Sequence, residues 1–155
     1  MEGSGRFFYF DDVRTGDSLF LETMKVLYGE HLSAKTLRPR KPEFLKQFRQ
    51  DGFYLIDSTD VPLGPVSDSE KRRQIRRALP SLKGKVQELS TGATGIILVS
   101  KNVYEVCCNY LRDAGFEVLN DEMLDFPGSG GARKYKDKMG GLLRRIGWRS
   151  SEAGQ

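Results

Sequence analysis

"GIILVS", residues 95–100, is apolar from Ile96 to Val99 with no polar residue between. A strand exposed on one face alternates apolar with polar, whereas a short unbroken apolar run suits a strand buried on both faces of a parallel sheet. Three other short runs read as strands beside it: "RFFYF" (6–10), "GFYLID" (52–57) and "FEVLND" (116–121). Helical patterns fill the intervals, so the expected fold is an α/β protein, a three-layer α/β/α sandwich around a four-stranded parallel sheet.

The helical readings rest on period and on caps. Phe20, Met24 and Leu27 share one face after Asp17, and Phe44, Leu45 and Phe48 follow Pro42, a residue suited to a first helical turn. Ser67 and Glu70 stand at capping-box spacing before Ile75, Leu79, Leu82, Val86 and Leu89, and Pro80 should kink or divide that segment. A further helix from Lys101 buries Val103, Cys107 and Tyr110 or Leu111, with Gly115 placed to end it. The last, from about Gly131 to Ile146, sets Tyr135, Met139, Leu142 and Ile146 on one face.

With 155 residues and 38% hydrophobic content, one domain over 1–155 is expected, with its core at about 6–147 and loose tails. A net charge of +4 favours anionic partners. The chain shows no run near the roughly 18 apolar residues of a membrane span, and "MEGSGRFFYF" lacks the pattern of a signal peptide, so a cytoplasmic monomer is expected. Cys107 and Cys108 are neighbours on a helix and point apart, which suits reduced structural thiols. With His31 the lone histidine, no metal site and no cofactor are expected.

Ligands of parallel sheets collect beyond the carboxyl ends of the strands. After the fourth run comes "DFPGSGGARKYKDKM" (125–139), where Gly128, Gly130 and Gly131 free the backbone to approach a ligand and a helix N-terminus offers unpaired amides. Ser129 adds a hydroxyl, and Arg133, Lys134, Lys136, Lys138, Arg144 and Arg145 make the helix basic, which suits several phosphates of a polymer. The plainer alternative is an ordinary turn before a solvated helix face. "KRRQIRR" (71–77) is a second basic stretch open to the same two readings. Asp11 and Asp12 follow the first run, where either carboxylate could polarise water or steady a developing sugar cation, or cap a turn. Asp57 ends the second run, with Ser58 and Asp60 in the loop beyond, as a ligand contact or a loop cap. Phe10 and Phe126 are candidate stacking surfaces for a base, although aromatics beside strands are more often core.

Laid out this way, the chain over roughly 6–147 resembles the uracil-DNA glycosylase superfamily. The resemblance implies a water-activating residue at Asp11 or Asp12 in "FDD", though the glycine and proline of the usual motif are absent. It implies a base-reading residue at Asp57 in "YLID", where the family has Asn, and a backbone-gripping Pro-Ser loop in "FPGSGG", with Pro127 matching and Phe126 replacing a histidine or asparagine. An ionised aspartate only accepts hydrogen bonds, so Asp57 would suit the exocyclic amine of a cytosine better than uracil. The implied activity is hydrolysis of the N-glycosidic bond of a flipped base, uracil or modified cytosine, in DNA. Phe10, Asp57 and Phe126 would hold the base, and Pro127 to Gly131 with Arg133 and Lys134 the phosphates. Two alternatives stand beside it: a non-catalytic nucleic-acid-binding module, and a small nucleoside or nucleotide hydrolase.

Overall fold

Helix punctuation is local chemistry, and it decides most of this molecule. The computed structural model describes residues 8–9, 17–60, 63–128 and 130–148, which form seven helices and two short strands. These are α1 (Ser18–Tyr28), α2 (Ala34–Leu37), α3 (Lys41–Gln50), α4 (Asp68–Arg77), α5 (Leu79–Leu89), β1 (Gly95–Ile96), α6 (Lys101–Asp113), β2 (Glu117–Val118) and α7 (Ala132–Arg145). They fall into two compact units, one from Asp57–Asp125 and the other from Ser4–Ile56 with Phe126–Gln155.

The second of these units is helical. In α1, Phe20, Met24 and Leu27 are buried at the predicted spacing, and α1 packs on α7, where Thr23 and Tyr135 share a buried hydroxyl hydrogen bond of 2.7 Å. Asp17 sits at the N-cap of α1, but its carboxylate takes Arg38 in a bidentate pair at 2.9 Å instead of capping. Pro42 stands in the first turn of α3, as its fixed φ favours. Lys41 is buried beside it, its Nζ 4.7 Å over the Phe20 ring, so the ring's negative face offsets part of the cost of burying that cation.

The other unit places α4 and α5 against α6. Ser67 accepts from the Glu70 N–H at 3.1 Å, and Pro80 lies in the first turn of α5, so the long segment divides where predicted. Gly115 takes φ 94° just past α6, a conformation cheap only for glycine. β1 and β2 pair in parallel, Gly95 opposite Glu117 and Ile96 opposite Val118, with α6 as their crossover.

The four-stranded sandwich is not there: among the described residues the sheet has two strands of two residues each. The first expected strand lies mostly outside the described residues, and the two that are described, Phe8 and Tyr9, have helical backbone. The second, 52–57, forms no ladder because its backbone is bonded elsewhere: the Leu55 N–H donates to the Tyr9 hydroxyl at 2.9 Å. Phe53 stacks on Phe48 at 5.2 Å and meets Trp148 edge-on at 5.5 Å, so its apolar surface feeds an aromatic cluster and not a sheet face.

The third and fourth runs do pair, but the ladder is cut short by a side chain. After the Leu119 N–H bonds Ile96 at 2.8 Å, the Asn120 amide takes over and bonds both the N–H and the C=O of Leu98, at 2.8 and 2.9 Å. Leu98 then enters the core with no strand beside it, while Ile97 and Val99 on either side of it are half-buried.

Burial also sets an alkaline limit. The Cys107 thiol, buried against the helices, is pushed up to about 12 from an ordinary 9.0, and burial pushes the Tyr135 phenol up to about 12 from 10.0. Both raised values mean that the folded state holds these protons more tightly than the unfolded chain. The stability they confer is therefore complete below about pH 9 and lost as pH climbs towards 12. Melting temperatures measured at pH 8 and pH 10.5 should fall with rising pH, and Cys107→Ala should flatten the first part of that fall; an unchanged melting temperature in the wild type would contradict the buried neutral thiol.

Candidate nucleic-acid interface

The segment after β2 turns at Pro127 to Gly131 and enters α7, which is the part of the predicted site that the structure builds in detail. Pro127 is buried and Gly130 takes φ 87°, open to glycine alone at little cost. The Gly131 N–H donates to the Gly128 carbonyl at 3.1 Å, closing the turn. A Cβ at Gly131 would collide with the Phe126 carbonyl oxygen, and one at Gly128 would lie 3.0 Å from the Phe126 ring. Close packing therefore requires glycine at Gly131 and the left-handed φ favours it at Gly130, whereas a side chain at Gly128 would only have to displace the exposed Phe126 ring. Ser129 lies outside the described residues.

Gly131 is the N-cap of α7 and has no side chain with which to cap it; the first helical bond is Tyr135 N–H to Gly131 at 2.9 Å. The amides of the first turn precede any helical partner, so they carry partial positive charge outward. The first turn contains no acidic residue, and Arg133 and Lys134 are exposed there. An anion meeting this end finds amide dipoles and two cations together.

The six expected cations do not all remain for a ligand. Lys136 reaches Glu30 at 3.2 Å and Glu22 at 3.4 Å; burial opposes its charge, but the two carboxylates more than offset that and raise its pKa. Lys138 is half-buried, and Arg144 and Arg145 are exposed at the far end of the helix, so Arg133 and Lys134 are the cations that accompany the turn. "KRRQIRR" is thinned in the same way: Arg72 bonds Asn102 at 2.9 Å, and Arg73 holds Glu70 through two bonds of 2.9 and 3.0 Å. Arg76 and Arg77 stay exposed at the end of α4.

Asp11, Asp12 and Phe10 lie outside the described residues. Asp57 is half-buried at the start of one unit, and Phe126, exposed at its edge, belongs to the other. Asp60 is held by two side chains of α5: Lys85 pairs with it at 2.8 Å and the Ser81 hydroxyl donates to it at 2.9 Å, and these two hold its pKa below the usual carboxylate range. Among the described residues, no group of three or more His, Cys, Asp or Glu side chains is placed to hold a metal ion, and no helix is long and apolar enough to cross a membrane.

Tyr54 is the position that periodicity missed. It lies in the run read as the second strand, 52–57, yet the residue is 65% exposed. The signal was in "GFYLID": Phe53 and Tyr54 are adjacent large rings, and with Phe53 turned inward its neighbour faces out.

No family model, no curated protein and no solved structure matches this chain.

Proposed function

We propose that this protein binds nucleic acid, gripping the sugar-phosphate backbone with the Pro127 to Gly131 turn and the first turn of α7. One observation carries the reading: a turn that needs glycine at Gly131 for close packing and at Gly130 for its φ delivers an uncapped helix N-terminus with Arg133 and Lys134 exposed beside it. A single small anion would need only the amides, whereas flanking cations on successive positions suit the repeated charges of a polymer.

Base excision is the reaction proposed for this site. Its support is the order β2, Pro-Gly-Ser turn, helix, which is the part of the glycosylase resemblance that does not depend on four strands, together with Asp11 or Asp12 as the carboxylate that orients water. In that reaction the carboxylate accepts a proton from water and faces the positive charge that grows on the sugar as the base departs.

The chemistry is tested by incubating the protein with labelled single-stranded and duplex DNA carrying uracil or modified cytosine, then cleaving abasic sites with alkali. The expected result is cleavage at one lesion, with Asp11→Asn combined with Asp12→Asn lowering it by roughly 100-fold or more while binding persists. Salt-sensitive binding with no base release on any substrate would leave the simpler reading, a non-catalytic nucleic-acid-binding module.

A further inference from the structure

Away from the glycine turn, the same unit contains an open cleft of about 270 Å³ lined by Tyr9, Arg49, Phe53 and Tyr54. Two of its walls are fixed. Phe53 is stacked on Phe48 and edge-on to Trp148, and the Tyr9 hydroxyl accepts from the Leu55 N–H at 2.9 Å. Tyr54 is held 6.3 Å from Tyr9, centroid to centroid, with the rings tilted by 51°, and its own face is turned to solvent.

The polar groups of the cleft have a direction. With its oxygen accepting from Leu55, the Tyr9 hydroxyl keeps its proton to donate, and among the described residues no acceptor takes it. Burial raises the pKa of this phenol, so the proton is retained at neutral pH. Arg49 is exposed on α3, near enough to Tyr9 for its charge to act on the phenol. A ligand that fits must present a planar face to Tyr54, a carbonyl to Tyr9 and a negative charge to Arg49.

We infer that this cleft takes an unpaired nucleobase of a single strand, stacked on Tyr54, with the adjoining phosphate on Arg49. A base inside a duplex has both faces covered by its neighbours and could not enter, whereas bases of a single strand stack on exposed aromatic rings. The volume is small against the several hundred Å³ of a site for larger ligands, which suits one ring system with its phosphate outside. The inference rests on the nucleic-acid reading for the class of polymer and adds which form of it, single-stranded, the protein prefers.

The test compares wild type, Tyr54→Ala and Tyr54→Phe for binding a labelled single-stranded oligothymidylate and a duplex of equal length, by fluorescence anisotropy. Stacking is worth about 1–3 kcal/mol per base, so Tyr54→Ala should weaken single-strand binding by about fivefold to a hundredfold, Tyr54→Phe should stay near wild type, and duplex binding should not change. Because the Tyr54 ring is mostly in solvent, the alanine variant should melt like the wild type. Single-strand affinity unmoved by Tyr54→Ala, with duplex binding intact, would overturn the cleft alone. Equal loss on both substrates would overturn the preference for an unpaired base. No binding of either DNA by the wild type would overturn the nucleic-acid reading and the cleft with it.

Discussion

Replacing Asn120 by Leu is expected to cost about 2–6 kcal/mol of stability, the largest effect of any single substitution proposed for this chain. Asn120 is 1% exposed, and its amide bonds the N–H of Leu98 at 2.8 Å and its C=O at 2.9 Å. It does for Leu98 what a neighbouring strand's backbone would do, and the leucine side chain can do neither. Both buried groups of Leu98 would be left unpaired, at about 1–3 kcal/mol each, and the larger leucine side chain has to be fitted into the same space. Thermal melting by far-UV circular dichroism should fall by roughly 4–24 °C, and the Leu98 amide should exchange with solvent far faster. A melt within a degree or two of wild type would mean that the Asn120 amide is not what completes this ladder.

The second large effect is on binding. Arg133→Gln combined with Lys134→Gln removes the two exposed cations beside the turn and leaves the glycines, the buried Pro127 and the Lys136 ion pairs untouched. Each phosphate contact releases about 0.9 counterion from duplex DNA, so at about 0.1 M salt a lost contact costs roughly tenfold and two cost on the order of a hundredfold. The slope of log affinity against log salt should fall by about 2 as well. Both side chains are in solvent, so stability should be unaffected. A variant that binds DNA as tightly as the wild type, with the same slope, would place the contacts elsewhere, with Arg76 and Arg77 on α4 the next to change.

What the sequence made legible follows the range of the interaction involved. Ser67 with Glu70, Pro42, Pro80 and Gly115 act within a few residues of themselves, and each stands where it was read. Strand pairing depends on distant partners, and there the reading failed: nothing near 52–57 says that Leu55 will donate to Tyr9, 46 residues away, and nothing in "GIILVS" says that an asparagine will replace the third strand residue opposite it. Helical periodicity likewise overreached at helix ends, where Leu89 and Ile146 are each 45% exposed. The glycine turn was readable because only glycine meets its geometry. That Lys136 is taken by Glu22 and Glu30 was not, since those carboxylates lie more than a hundred residues earlier in the chain.

The most direct test of the nucleic-acid reading is the affinity of the wild-type protein for labelled DNA, single-stranded and duplex, across a salt series from about 50 to 200 mM with free nucleotide as competitor. The expected result is binding that weakens steeply as salt rises and that free nucleotide does not displace. Absence of binding at the lowest salt, or full displacement by free nucleotide, would contradict it and turn attention to a small phosphorylated ligand at the same turn.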